Sequence, residues 1–106
     1  MLGVSDQTLR AYGAVSEPVA REMALGALRH SDGDIAVSIT GIAGPGGSEH
    51  KPEGRVCFGI ATEDDCTTQT IEIGPRGRAS VRSAATQHAL SLLYQAVITN
   101  RANGYL

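Results

Sequence analysis

A glycine-rich stretch, TGIAGPGGSEHKPEG at residues 40–54, is the part of this sequence whose composition could hold a ligand. It contains five glycines, two prolines and the only lysine of the chain, Lys51. It follows a predicted strand, and the carboxyl ends of strands are where α/β sheets bind ligands. Glycines let consecutive N–H groups approach one anion closely. The stretch therefore predicts either an anion-binding turn or a plain connector.

The stretch partly matches two nucleotide-binding motifs, but it lacks a required residue of each. A phosphate-binding loop needs a lysine where Gly47 stands, and it needs a helix to follow, whereas no helical pattern follows Ser48. The dinucleotide fingerprint fails because Glu49 occupies the position of its third glycine. These departures exclude a nucleoside-triphosphatase.

The remaining residues that could bind metal or react share no recognisable spacing. His30, His50 and His88 are far apart in the sequence, and we expect His88 to pack on an apolar helix face. Cys57 and Cys66 lack a second ligand pair, so we expect two free thiols that are buried or half-buried. The sequence therefore predicts no metal site.

Lys51 precedes a proline in a predicted surface loop, which favours a structural role for its side chain. Tyr12 and Ser16 are interpreted as residues at helix boundaries. No combination of Ser, His and Asp can be assembled into a nucleophilic triad from these residues.

The elements that must position the glycine-rich stretch can be placed from caps and periodicity. Ser5 and Gly13 bound a first helix, and Ser16 begins a second that runs to about His30. Hydrophobic patterning then predicts strands at 34–40, 55–62 and 66–73 and a helix from about 78 to 100, followed by a frayed tail at 101–106. The order α-α-β-β-β-α predicts a small mixed sheet packed with helices.

The first predicted strand alternates large and small residues. Ile35, Val37 and Ile39 share one face, while the small residues between them share the other. Small residues suit a face that a helix covers closely. We expect a helix to lie directly on that face.

Composition limits the class of protein. The 106 residues suffice for one domain, and 42% hydrophobic with 19% charged residues is ordinary for a globular chain. The net charge of −2 without a basic stripe argues against nucleic-acid binding. There is no apolar run of membrane-spanning length and no signal-peptide pattern, so we expect a cytoplasmic protein without a membrane partner.

Three sequence segments together resemble the C-terminal domain of the competence/damage-inducible CinA proteins, whose stand-alone form is the nicotinamide-nucleotide amidohydrolase. They are GAVSE at a helix start (13–17), SITGIAGP (38–45) and KPEG before the next strand (51–54). The similarity extends from residue 12 through RASVRSAATQHALSLL at 78–93. It implies a single domain over 1–106.

The resemblance implies a three-layer α/β/α sandwich and deamidation of nicotinamide mononucleotide to nicotinic acid mononucleotide and ammonia. No metal or organic cofactor is expected. By the same resemblance, Thr40 supports catalysis. The implied substrate-binding residues are Gly41, Ala43, Gly44, Gly46, Gly47 and Arg78. At Arg78 the family usually shows Gly-Asp-Arg, whereas this chain has Gly77 in place of the aspartate.

The resemblance also implies segments ahead of Met1 that this sequence does not contain. They resemble Ala-Glu-Ser-Cys-Thr-Gly-Gly and Thr-Tyr-Ser-Asn-Glu-Ala-Lys, and they carry the nucleophilic serine with the tyrosine and lysine that activate it. We therefore expect a partial domain without the family's N-terminal strand and helix elements, inactive alone and assembled as a homo-oligomer. The alternative is a non-catalytic nucleotide-binding or interaction module.

Overall fold

The computed structural model describes residues 3–42 and 51–102 of the chain. The helices and strands, in chain order, are α1 (Asp6–Tyr12), α2 (Glu17–Arg29), β1 (Ile35–Gly41), β2 (Arg55–Thr62), β3 (Cys66–Glu72) and α3 (Arg78–Ala102). Every predicted element is present within one or two residues of its expected bounds. The last helix continues through residues 101 and 102, the first two residues of the segment predicted as a frayed tail, and 103–106 lie outside the described residues.

The predicted caps set the ends of the first two helices. The Ser5 hydroxyl accepts a hydrogen bond from the Thr8 amide, and the Ser16 hydroxyl does the same for the Val19 amide. Gly13 ends α1 as predicted, but its φ of 79° and ψ of 166° differ from the left-handed helical conformation expected of a glycine stop; this conformation also strongly favours glycine. The chain therefore turns sharply between α1 and α2.

The three strands form a sheet in the order β1-β2-β3, and both pairs are antiparallel. The expectation of a mixed sheet is therefore wrong for the described strands. The reason lies in the connection after β1, which returns the chain alongside β1 instead of crossing over. The Ile42 amide donates to the Arg55 carbonyl at 3.0 Å, and the Gly54 amide donates to the Ile42 carbonyl at 2.7 Å.

Helix α2 covers the small-residue face of the sheet, as predicted. The Ser38 hydroxyl donates to the Ala20 carbonyl at 2.6 Å across this interface. A Cβ atom on Gly59 would lie 2.4 Å from the same Ala20 carbonyl oxygen. The helix backbone therefore lies against the strand backbone with almost no side chain between them.

Helix α3 covers the opposite face, where the large residues of the strands form the main core. Val56 and Phe58 of β2 are buried there against Val81, Ala85 and Ala89 of α3. The sheet is thus the middle layer of the expected α/β/α sandwich.

His88 packs in this core, as predicted for a residue on the apolar face of α3. Its ring meets Phe58 edge-on at a centroid distance of 4.7 Å, and its Nε2 lies 2.5 Å from Gln69 Oε1. Cys57 is buried and Cys66 is half-buried, and both are free thiols. Burial raises the pKa of the Cys66 thiol, which disfavours its thiolate.

Within residues 3–42 and 51–102, no helix is long and apolar enough to cross a membrane. The same residues contain no cluster of three or more His, Cys, Asp or Glu side chains placed to hold a metal ion.

The close approach at Gly59 gives a test of the fold. Gly59→Ala places a methyl group inside contact distance of the Ala20 carbonyl and the Ser38 hydroxyl. We expect a loss of about 3 kcal/mol in the free energy of unfolding, measured by urea denaturation. Gly33→Ala is the matched control, because its new Cβ would meet Ser31 Oγ at an ordinary 3.5 Å. Equal stability of the two variants would contradict the described packing.

Candidate functional site

Three segments that are far apart in the sequence meet at one end of the sheet. They are residues 12–16, which cross from α1 to α2, the end of β1 at 38–41, and residues 51–54 before β2. We call residues 12–16 the crossing segment. Side chains from the other two segments hydrogen-bond to its backbone, so the three segments form one unit.

Thr40 binds the middle of the crossing segment. Its Oγ1 donates a hydrogen bond to the Ala14 carbonyl at 2.8 Å, and the side chain is half-buried. Thr40 lies on the sheet face that α2 covers, and Gly41 ends the strand directly after it. The structure thus places the predicted supporting residue at the edge of the sheet with its hydroxyl in a fixed orientation.

Lys51 binds the crossing segment on both sides of Ala14. Its Nζ donates to the Tyr12 carbonyl at 2.7 Å and to the Val15 carbonyl at 2.5 Å. The ammonium group therefore ties the segment before β2 to the junction of α1 and α2. The predicted structural role of Lys51 is confirmed.

A row of polar side chains continues from Thr40 across the sheet. Thr40 pairs with Cys57 in the strand register, and Cys57 pairs with Thr70. Above Thr70, the Glu17 carboxylate at the start of α2 accepts hydrogen bonds from Thr70 Oγ1 at 2.6 Å and Thr68 Oγ1 at 2.7 Å. These bonds, with Thr70 the larger contributor, lower the pKa of Glu17 below its ordinary range.

Sequence reasoning placed Glu17 in a helix start and did not predict its cross-sheet contact. The sequence shows only that GAVSE ends in a glutamate at a helix start, and nothing in it indicates the threonines 51 and 53 positions later that Glu17 meets.

Arg78 begins α3 at the same end of the sheet, and its side chain is exposed. One turn later Val81 packs against Val56, which pairs with Gly41. Arg78 therefore shares an edge with the end of β1, but α3 packs on the sheet face opposite the one on which Thr40 lies. Four further predicted binding residues, Ala43, Gly44, Gly46 and Gly47, lie outside the described residues.

A pocket of about 300 Å³ opens beside the crossing segment. The last turn of α1 lines it with Arg10 and Tyr12, and Lys51 lies on its other side. Sequence reasoning treated Tyr12 as a helix-boundary residue and did not predict the pocket. Its formation depends on the sharp turn at Gly13, which brings the end of α1 close to Lys51.

Comparison with known proteins identifies the family to which these segments belong. The model of the CinA C-terminal domain matches residues 1–97.

The chain belongs to the CinA C-terminal domain family.

Two relatives and one solved structure indicate how far the similarity extends. The chain is 50% identical over 101 residues to the nicotinamide-nucleotide amidohydrolase PncC of Escherichia coli strain K12, a match that covers 94% of this chain and 61% of the relative. A CinA-like protein of Mycobacterium tuberculosis strain H37Ra is 47% identical over 95 residues, covering 88% of this chain and 22% of that protein. The crystal structure of the competence/damage inducible protein CihA from Agrobacterium tumefaciens superposes with a TM-score of 0.84 at 41% identity, covering 90% of this chain and 59% of that one.

The chain thus spans about three fifths of the E. coli relative and about a fifth of the mycobacterial one. The similarity includes the crossing segment, the end of β1 and Lys51, all of which fall within the residues that the family model matches.

The contacts of Glu17 predict how stability depends on pH. Because its pKa is lowered in the folded protein, its carboxylate stabilises the fold above the ordinary glutamate pKa of about 4.3, and this stabilisation is lost as pH falls through the folded value. Glu17→Gln should therefore cost about 1 kcal/mol of unfolding free energy at pH 7, since it weakens two hydroxyl contacts to a charge.

The difference between wild type and Glu17→Gln should shrink below about pH 4, as followed by urea denaturation at several pH values. Glu63→Gln, an exposed change in the β2–β3 turn, is the control and should show no such dependence. A constant difference from pH 7 to pH 3 would show that the Glu17 charge does not contribute.

Proposed function

We propose that this chain forms part of the active site of a nicotinamide-nucleotide amidohydrolase. The reaction is hydrolysis of the carboxamide of nicotinamide mononucleotide, which yields nicotinic acid mononucleotide and ammonia. The 50% identity to a relative named for this activity supports the proposal. Since the chain spans 61% of that relative, the activity is proposed for the whole enzyme and these residues are assigned a share of it.

The observation that carries the proposal is the convergence of the three segments on which the family resemblance depends. Thr40 and Lys51 both bind the crossing segment, so the motif residues lie together although Tyr12 and Lys51 are 39 positions apart in the sequence. Motifs that meet through side-chain bonds at a strand end are suited to building a ligand site.

We assign roles according to the chemistry of each group. Thr40 contacts the carboxamide or orients the nucleophile. The backbone N–H groups of Gly41, and of Ala43, Gly44, Gly46 and Gly47 beyond it, bind the phosphate, the ribose or an oxyanion. Arg78 adds a positive charge and a forked set of donors for the phosphate.

The nucleophile in this proposal comes from outside the 106 residues. Serine attack on the carboxamide would release ammonia and leave an acyl-enzyme, which water then hydrolyses to the acid. Neither step requires a metal or an organic cofactor. Because the serine, tyrosine and lysine implied by the resemblance are not in this sequence, these residues would bind the nucleotide without hydrolysing it.

The alternative is a nucleotide-binding module that performs no chemistry in any assembly. It is favoured by the contacts of Thr40 and Cys57 in the described part of the chain. Thr40 bonds to a backbone carbonyl and Cys57 lies beside the Thr70 hydroxyl, so neither hydrogen-bonds to a carboxylate or imidazole that could act as its base. The two candidates share one ligand and differ in turnover.

The decisive measurement uses the 106-residue polypeptide with nicotinamide mononucleotide. We expect calorimetric titration to show binding and an ammonia assay to show no release, with the E. coli relative as the positive control. Joining the polypeptide to the unmatched part of that relative should restore ammonia release. Failure to restore it would favour the binding module, release by the polypeptide alone would refute the external nucleophile, and absence of binding would refute the site.

We also propose that the protein acts in the cytoplasm as a homo-oligomer. Support comes from α3, where Leu90, Tyr94 and Ile98 repeat every four residues and are exposed to 59%, 67% and 47%. Exposed apolar side chains in a row on one helix favour association.

Light scattering at tens of micromolar should therefore give a mass above that of one chain. Leu90→Glu combined with Ile98→Glu should lower that mass toward the 11.0 kDa of a monomer. A monomeric wild type would refute the oligomer.

A further inference from the structure

The crossing segment supplies the acceptor that fixes the orientation of the Thr40 hydroxyl proton. Four consecutive carbonyls of this segment accept hydrogen bonds from side chains. Tyr12 and Val15 accept from Lys51, Gly13 accepts from Ser16 Oγ at 2.9 Å, and Ala14 accepts from Thr40. In the described part of the chain, no other donor reaches the Ala14 carbonyl.

A hydroxyl group has one proton to donate and two lone pairs that accept. Thr40 commits its proton to Ala14, so the oxygen can only accept from anything else that approaches it. If Thr40 rotated to donate elsewhere, the Ala14 carbonyl would lose its partner, which is unfavourable for a half-buried backbone group. Within residues 3–42 and 51–102, no group donates to the Thr40 oxygen.

We propose that Thr40 Oγ1 accepts a hydrogen bond from the amide nitrogen of the substrate carboxamide and thereby selects substrate over product. This inference rests on the proposed function. A carboxamide presents two N–H donors, whereas the product carboxylate presents only acceptors. When the product is bound, the Thr40 oxygen faces a carboxylate oxygen, and neither atom has a proton to donate. The position that binds the substrate amide is therefore unfavourable for the nicotinic acid product.

Lys51 is the positioning residue for this selection. It contacts no substrate in the proposal, but it fixes the carbonyls on both sides of Ala14 and so keeps the Ala14 oxygen aimed at Thr40. Without the ammonium group two of the four carbonyl contacts are lost, so the Ala14 carbonyl is held less firmly toward Thr40 and the hydroxyl can donate elsewhere more easily. The selectivity is therefore built from two residues that are eleven positions apart in the sequence and share one backbone segment.

The test compares the affinities of the 106-residue polypeptide for nicotinamide mononucleotide and nicotinic acid mononucleotide by calorimetric titration. Both ligands carry the same ribose and phosphate, so contacts to those groups cancel in the ratio. We expect wild type to bind the amide about tenfold more tightly, the value of one hydrogen bond. Thr40→Ser should keep that ratio, while Thr40→Val should reduce it to about one.

Lys51→Met should also lower the ratio, whereas Arg29→Met, an exposed change at the end of α2, should leave it unchanged. Equal binding of the two nucleotides by wild type, or an unchanged ratio in Thr40→Val, would overturn the selectivity while leaving the proposed function intact.

A measurement without ligand separates the two proposals. The Thr40 hydroxyl proton should be visible by NMR in slow exchange with water in the wild type and absent from the Lys51→Met spectrum. A hydroxyl proton that exchanges rapidly in the wild type would overturn the fixed orientation. A protected hydroxyl in a polypeptide that binds neither nucleotide would instead overturn the proposed function and the selectivity that rests on it, leaving only the hydroxyl orientation.

Discussion

The arrangement of this protein depends on satisfying four backbone carbonyls between two helices. A chain that leaves one helix and enters another within a few residues has carbonyls that neither helix can pair, and burying them unpaired is costly. Here Lys51, Ser16 and Thr40 supply the donors. Because Thr40 begins the glycine-rich stretch and Lys51 lies near its end, the same bonds that stabilise the turn also fix these two points of that stretch.

The two faces of the sheet differ in the kind of side chain that they carry. The face under α3 holds the large side chains, including the fully buried Phe58, and forms the principal core. The face under α2 is made of small and polar residues and carries Thr40 and the carboxylate contact of Glu17. This polar row runs from the half-buried Thr40 through the buried Cys57 to the exposed Thr70, and both threonine hydroxyls have partners, in Ala14 and Glu17.

Local structure was predictable because its causes are local. Serine caps at Ser5 and Ser16, the stop at Gly13 and the alternation of β1 each act within a few residues, and each prediction is confirmed. The mixed sheet was wrong because the direction of β2 depends on the path of the connection after β1, which residue patterns do not reveal. The contacts of Lys51 and Glu17 join residues 36 to 53 positions apart, and only the folded chain brings them together. The family resemblance pointed to Thr40 without indicating that its proton is already committed.

The bare contact between Gly59 and Ala20 links the middle of the sheet to the site at its end. At this point no side chain lies between the backbone of α2 and the backbone of the sheet. The distance between helix and sheet therefore depends on Gly59 having no Cβ atom. The crossing segment continues directly into α2, and any residue that raised the helix would draw the Ala14 carbonyl away from Thr40. The size of Gly59, a strand residue with no assigned chemical role, thus helps to set the distance between Thr40 and the crossing segment.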